Sequence, residues 1–337
     1  MTITIAMKQL IFCVCVIICL SSYSAMSQTL HESSIAKIHE QWMSQYQRSY
    51  ANDVEKEKRF QIFKEKLEYI EKFNNNANNS YKMGLNQFSD LTTDEFLASY
   101  TSLNAGLNVS SQISFSSDIE PLKEYHIPAS IDWREKGAVT NVRWQGPCGA
   151  CWAFAGLAAV ESYIKIKTGN KLSLSVQNVV DCAASGCNGG YVIDTYKYIV
   201  ETKGIADEAS YPYKEVGGTC RREKKVSAQI TGYKTVPPND EQQLLRAVSK
   251  QPVATHIAVS PEFTGYKEGV FEGPCGTDLV HAVTIVGYGT SKEGKRYWLI
   301  KNSWGEQWGE GGYMRLLRGV SDKRGLCALA MWPTYPR

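Results

Sequence analysis

The sequence predicts an α+β architecture: a charged helical N-terminal region, followed by a helical half and then a β-rich half. Three observations carry this. Up to about residue 105 the apolar residues recur every three or four positions, the period of amphipathic helices. From Asn104 to Pro121 the chain is rich in Ser and loses that period, as an exposed linker does. Beyond Pro128 the composition shifts to Gly, Tyr, Trp and Cys, with one long apolar helix and then short β-branched or aromatic runs bounded by Gly or Pro. The 337 residues suffice for about two domains, and 43% hydrophobic with 21% charged residues is ordinary for a globular protein.

Taken in order, residues 1–27 read as a secretory leader. Lys8 precedes the apolar run Leu10 to Leu20, and Ala25-Met26-Ser27 supplies a small-x-small cleavage site, so removal is expected before Gln28. The run is shorter than the roughly 20 residues a membrane span needs, which predicts a chain of the secretory pathway without a membrane anchor after processing. Ile35, Ile38, Trp42 and Tyr46 mark one amphipathic helix, and Phe60, Phe63, Leu67, Ile70 and Phe73 mark a second. The linker should be open to proteolysis, and the sequons Asn78-Asn79-Ser80 and Asn108-Val109-Ser110 both fall before its end or within it. Cys151 to Lys167 reads as a buried helix closed by Gly169. Strands are expected within Gln229 to Val236, Pro252 to Val259, Ala282 to Gly287, Tyr297 to Lys301 and Tyr313 to Leu317. A net charge of +3 without a basic block gives no reason to expect nucleic acid or an anionic membrane as partner, and Arg221-Arg222-Glu223-Lys224-Lys225 reads as a solvated loop.

Cysteine counting points to chemistry. Of ten cysteines, Cys13, Cys15 and Cys19 leave with the leader, and three disulfides would use six of the remaining seven. Cys151 stands out because it begins a helix, where the positive end of the helix dipole favours thiolate over thiol. Acyl transfer by a thiolate also needs an acid for the leaving amine, so a histidine must lie nearby. His31, His39 and His126 belong to the N-terminal region, which leaves His256 and His281. A C-G-[SA]-C-[WY] sequence with His and Asn about 130 to 150 residues downstream marks one protease family. The chain has Cys148-Gly149-Ala150-Cys151-Trp152, with 281 − 151 = 130 and 302 − 151 = 151, whereas 256 − 151 is only 105. His281 and Asn302 fit that spacing. Cys148 and Cys151 also have thioredoxin-like C-x-x-C spacing, which keeps a thiol-disulfide oxidoreductase as an alternative, although one that leaves His281, Asn302 and Gln145 without roles.

Further motifs stand in a fixed order: Ile127-Pro128-Ala129-Ser130-Ile131-Asp132-Trp133-Arg134, Cys182 with Gly186-Cys187-Asn188-Gly189-Gly190, His281-Ala282, Gly287-Tyr288-Gly289 and Lys301-Asn302-Ser303-Trp304-Gly305. With them the chain resembles a papain-like cysteine protease precursor of the plant type over nearly everything after the leader. The resemblance implies a papain-like fold of two subdomains, a helical wall and a β-barrel wall with the cleft between, and three stretches: leader 1–27, inhibitory propeptide with linker 28–126, and peptidase 127–337. It implies Cys151 as nucleophile, His281 as base and then acid, Asn302 as the acceptor that orients His281, and Trp304 as the shield of that hydrogen bond. Gln145 would offer its amide, with the Cys151 backbone N–H, to the oxyanion. The implied disulfides are Cys148–Cys187, Cys182–Cys220 and Cys275–Cys327, all scaffolding. Gly149, Gly189 and Gly190 would present backbone to an extended substrate, and Tyr191, Val192, His256, Ala282 and Trp332 would line the pocket for the second residue before the cut (P2). Trp332 and His256 should shorten that pocket, favouring Val, Leu or Pro over Phe. For His256, packing in a strand explains its position equally well. The implied partners are peptide and protein substrates, the chain's own propeptide as inhibitor and cystatin-like inhibitors, for a monomer in the extracellular space, vacuole or lysosome. No metal or cofactor is implied.

Glu55, Arg59, Phe63, Ile70 and Asn74, then Gly84, Asn86, Phe88 and Asp90, resemble the two motifs of the inhibitory propeptide, which would cross the cleft in the non-productive direction and leave at acid pH. Lys66 departs from that pattern. So does Val280, where an aspartate or asparagine is usual before His281; it predicts an altered or narrower pH profile, one that Val280→Asp would change. Trp144 stands where asparagine is expected beside Gln145, and Val176 where glutamate is common. These departures alone favour the second alternative, a secreted binding protein of the same fold without catalysis.

Overall fold

The computed structural model describes residues 32–101, 127–183, 186–221 and 225–337. The leader, the linker with its Asn108 sequon, the rest of the chain up to residue 126 and most of the basic Arg221–Lys225 loop lie outside the described residues. The chain divides into two compact units, one ending at Glu68 and one from Tyr69 to Arg337. In the first, a helix at residues 32–45 and the N-terminal part of the Asp53–Asn74 helix bury Ile35, Trp42, Phe63 and Leu67. An i,i+4 pair between Arg59 and Glu55 (2.7 Å) supports the second helix on its outer face.

The second unit holds nine strands: β1 (Tyr81–Met83), β2 (Ile131–Asp132), β3 (Tyr233–Thr235), β4 (Val253–Ile257), β5 (Tyr266–Phe271), β6 (His281–Thr290), β7 (Arg296–Lys301), β8 (Tyr313–Leu317) and β9 (Thr334–Pro336). They hydrogen-bond in the order β1-β5-β8-β7-β6-β4-β9-β3, with β2 on β6. All pairs are antiparallel except β5 with β8. Among the described residues β1 and β3 end the order without pairing to each other, so the barrel expected for this half is an open one. Composition explains where the strands were legible. β4 and β6 are buried along nearly their whole length and β7 over its last four residues, the pattern of strands covered on both faces.

Two hydrophobic cores lie side by side in this unit. One surrounds the Cys151–Thr168 helix and includes Trp152, Leu157, Val160, Val179, Tyr196 and Ile199. The helix is buried on every side from Cys151 to Ser162, becomes polar in its last turns with Lys165 and Lys167, and ends at Gly169, whose φ of +78° is the left-handed cap that glycine adopts without strain. The other core lies on the sheet and includes Phe263, Trp298, Trp304 and Trp308. Ile70, Tyr81, Met83, Phe88, Phe96 and Tyr100 of the N-terminal region are buried in that same core. This is why the compact unit begins at Tyr69, within a helix, rather than near residue 126 where the change of sequence character lies. The two cores meet where the Cys151–Thr168 helix packs against β6 and the Thr284 hydroxyl donates to the Ala155 carbonyl at 3.0 Å.

Three disulfides tie the loops: Cys148–Cys187, Cys182–Cys220 and Cys275–Cys327. No helix among the described residues is long and apolar enough to cross a membrane. At the β2–β6 crossing the backbones come so close that a Cβ on Gly287 would lie 2.2 Å from the Ile131 carbonyl oxygen. Gly287→Ala should therefore lower stability by about 1 to 3 kcal/mol through forced strand separation. Thermal unfolding of the full chain checks this, and an unchanged melting temperature would mean that β2 is not held against β6.

Candidate active site

The expected residues converge where the helix beginning at Cys151 meets β6 and β7. Cys151 is buried, stands outside the three disulfides and occupies the first helical position. Ala150 precedes it as a cap that offers no side-chain acceptor, so the first turn keeps its amide dipoles pointing at the cleft. Since Cys148 pairs with Cys187, Cys148 and Cys151 do not form the redox pair that their spacing allowed.

His281 is the first residue of β6, and Asn302 directly follows β7. His281 Nε2 lies 2.8 Å from Asn302 Oδ1, which also accepts the Ser303 N–H at 2.8 Å. That amide oxygen can only accept, so Nε2 carries a proton and donates it. Nδ1 is buried and makes no hydrogen bond among the described residues. The Trp304 indole, wholly buried, stacks on the imidazole at 4.5 Å with 26° between planes. Burial pushes His281 down to about 4, opposed by the Asn302 hydrogen bond and helped by His256.

Gln145 is clamped on every polar atom. Its N–H donates to the Ser303 carbonyl (2.9 Å), its Oε1 accepts from the Ser303 hydroxyl (2.7 Å) and its carbonyl accepts from the Tyr213 hydroxyl (2.7 Å). Its Nε2 donates to the Cys148 carbonyl at 2.7 Å and to the Tyr100 carbonyl at 3.2 Å. A carbonyl from the N-terminal region thus sits on the very amide expected to receive an oxyanion. The same region crowds the neighbouring backbone: a Cβ on Gly149 would come within 2.7 Å of the Thr101 oxygen and 2.5 Å of the Cys187 oxygen. At the other end, Gln87 Nε2 donates to the Trp304 carbonyl at 2.6 Å, and Phe88 and Phe96 meet the Trp304 ring edge-on. The chain therefore runs from Trp304 past Gln145 to Gly149.

On the other flank, His256 lies opposite Ala282 in the β4–β6 register and stacks on Trp332 (5.3 Å, 25°), with Tyr191 tilted over Trp332 at 5.2 Å. His256, Val192, Ala282 and Trp332 are buried. Neither His256 ring nitrogen makes a good hydrogen bond; burial pushes the ring down to about 4, offset slightly by the Gly190 backbone. Gly190 is in turn pressed onto the Trp152 indole, where a Cβ would stand 2.8 Å from the ring, and Gly189 has a φ of +101°. Val280 is half-buried, its N–H donating to the Ile257 carbonyl.

A charged seam joins the two halves behind the site. Arg143 lies 3.2 Å from both Glu161 and Glu208, the Thr140 hydroxyl donates to Glu161 at 2.5 Å, and Lys301 Nζ donates to Thr140 at 2.9 Å. Burial pushes Lys301 down to about 8. Lys301, Arg143 and Asn302 together line a small cavity of about 20 Å³. Val176, where the resemblance leads to glutamate, is buried and apolar, and Glu208 is Arg143's second carboxylate. Sequence reading missed Glu208, the Ser303 clamp and the Tyr213 hydroxyl. Only Ser303 carried a signal, as part of the Lys301–Gly305 motif.

Both buried imidazoles favour the neutral form in the folded chain, so unfolding takes up protons between their ordinary range and about 4. Their stabilisation should be complete above about pH 6.5, diminish as the pH falls toward about 4 and decline no further below it, a few kcal/mol for the pair. Melting temperature against pH tests the sign, and His256→Leu should flatten the slope; a flat wild-type profile between pH 7 and 4 would refute it.

Residues 127–337 match the family model described as papain family cysteine protease, and residues 39–96 match that of the cathepsin propeptide inhibitor domain. Ananain of Ananas comosus is 49% identical over 318 residues, spanning 94% of this chain and 92% of its own length. Fruit bromelain of the same plant is 48% identical, spanning 94% and 90%. A solved recombinant stem bromelain precursor superposes with a TM-score of 0.82 at 47% identity, covering 90% of this chain and 98% of its own. A bromelain protease from Ananas comosus in complex with the E64 inhibitor is 52% identical, with a TM-score of 0.62, over 62% of this chain and 99% of its own. With a peptidase model over more than half its length, a propeptide model before it and such relatives along nearly the whole chain, this protein belongs to the papain family of cysteine proteases, as a plant-type precursor.

Proposed function

We propose that Cys151 is the nucleophile of this cysteine endopeptidase and His281 its acid and base, and that hydrolysis runs through an acyl-enzyme. The Cys151 thiolate, favoured by the helix start, attacks the scissile carbonyl carbon. The Gln145 amide and the Cys151 N–H donate to the resulting oxyanion; one such donor is worth about 3 kcal/mol. His281 Nδ1 hands its proton to the leaving amine, forming a thioester, then takes a proton from the water that cleaves it. The observation that carries this reading is the 2.8 Å bond from His281 Nε2 to Asn302 Oδ1, which leaves Nδ1 for the thiol. The Tyr100 carbonyl on Gln145 supports the oxyanion role, because it shows that a carbonyl oxygen fits there. In the zymogen the covered cleft favours a neutral imidazole; once the propeptide leaves, a thiolate neighbour favours the charged ring.

We place the mature N-terminus near residue 126 or 127 and the monomeric enzyme in the extracellular space, vacuole or lysosome, open to cystatin-like inhibitors. Both sequons then leave with the propeptide. The inactive-binder alternative has little support, since the residues of the proposed mechanism are all in place.

Mass spectrometry of the acid-matured protein after iodoacetamide without reductant, with peptidase activity measured before and after, tests the assignment. One carbamidomethyl group on Cys151 with loss of activity is expected; activity surviving that modification refutes the nucleophile. The stacked His256 and Trp332 rings fill the P2 wall, so a peptide library should favour Val, Leu or Pro there, and a profile dominated by Phe or Tyr would refute that pocket.

A further inference from the structure

Trp144 stands where the resemblance to the family leads to asparagine, and the structure gives its backbone a fixed position. It pairs with Trp304 in an isolated antiparallel bridge. Hydrogen bonds from Gln145 N–H to Ser303 O (2.9 Å) and from Gly305 N–H to Arg143 O (3.1 Å) hold the backbone on either side. The main chain of Trp144 is therefore held beside that of Trp304, whatever covers the indole. Two propeptide rings cover it here: Phe88 stacks at 5.9 Å with 26° between planes, and Tyr100 lies tilted at 5.6 Å. Both leave with the propeptide, and the half-buried indole is then without the two rings that cover it here.

We infer that Trp144 forms a subsite for an aromatic or large aliphatic side chain of the substrate, within the first three residues after the scissile bond. The inference rests on the roles proposed above for Gln145 and His281. His281 protonates the leaving amine, so the leaving segment passes His281 and the Trp304 ring stacked on it. Trp144, bridged to Trp304 and adjacent in sequence to Gln145, lies on that side of the cleft. The chemistry of the occupant follows from the indole, which is flat, uncharged and suited to ring or aliphatic contact. Phe88 and Tyr100 are two such occupants already in place, so the propeptide covers with aromatic rings the surface that the mature enzyme presents to substrate.

The test uses the acid-matured enzyme with quenched fluorescent peptides that share one sequence before the cut and carry Phe, Tyr, Leu, Ser, Asn or Glu at each of the three positions after it. A peptidyl aminomethylcoumarin, which lacks those residues, reports the peptidase reading separately. Wild type should prefer Phe, Tyr or Leu over Ser by about 3- to 10-fold in kcat/KM at one of the three positions, the range that aromatic contacts supply. Trp144→Asn should reduce that preference to within about twofold and leave coumarin amide turnover within about twofold, while Trp144→Phe should keep it. Preference retained in Trp144→Asn overturns the inference. So does equal loss on the peptides and on the coumarin amide, which would place Trp144 in the upkeep of Gln145. Absence of wild-type turnover on the coumarin amide would instead strike the peptidase assignment itself.

Discussion

The stacking of Trp304 on His281 is the contact on which the cleft depends. An imidazole held by one hydrogen bond to an amide oxygen would exchange that bond for water if water could reach it, because each hydrogen bond to solvent is nearly as good as the one it replaces. A wholly buried indole 4.5 Å from the ring removes that competition. Trp304 is itself fixed by edge contacts with Phe263 and Trp308 and by its backbone bridge to Trp144. The orientation of one imidazole is therefore held by the sheet core, and through Trp144 by the loop that carries Gln145.

The second constraint is that the thiol and the imidazole come from different halves. Neither core alone can fix their separation. The Ser303 hydroxyl and carbonyl on Gln145 join the loop before the Cys151 helix to the loop after β7. The seam from Arg143 and Glu161 through Thr140 to Lys301 does the same one layer deeper. Buried charges add little net stability, yet removing one partner leaves the other stranded in a low dielectric, which makes such seams sensitive to register. Arg143 is flanked by two carboxylates drawn from separate stretches of the chain, Glu161 and Glu208.

The propeptide is held by the same elements that serve the site. β1 adds a strand beside β5, with Tyr81 opposite Gly269, and Phe88, Phe96 and Tyr100 extend the aromatic core around Trp304 and Trp144. Its chain then lays the Tyr100 carbonyl on the Gln145 amide and the Thr101 carbonyl against Gly149. The propeptide thus lies on the same backbone and aromatic surfaces as the substrate sites proposed above, as a zymogen requires if its removal is to open them.

By itself the sequence determined the two helices of the N-terminal region, the apolar helix that Cys151 begins, the buried strands β4, β6 and β7, and the selection of His281 over His256 by spacing. Each of these is a matter of local period, composition or distance along the chain, and those survive without knowledge of the fold. The tertiary structure alone decided that Ser303 and Tyr213 hold Gln145, that Glu208 lies beside Arg143, that β1 joins the sheet and that Trp144 lies under Phe88 and Tyr100. Those partners are drawn from separate halves or separate stretches of the chain. A side chain's period shows that it faces inward, but only the crossing of backbones decides what it meets there.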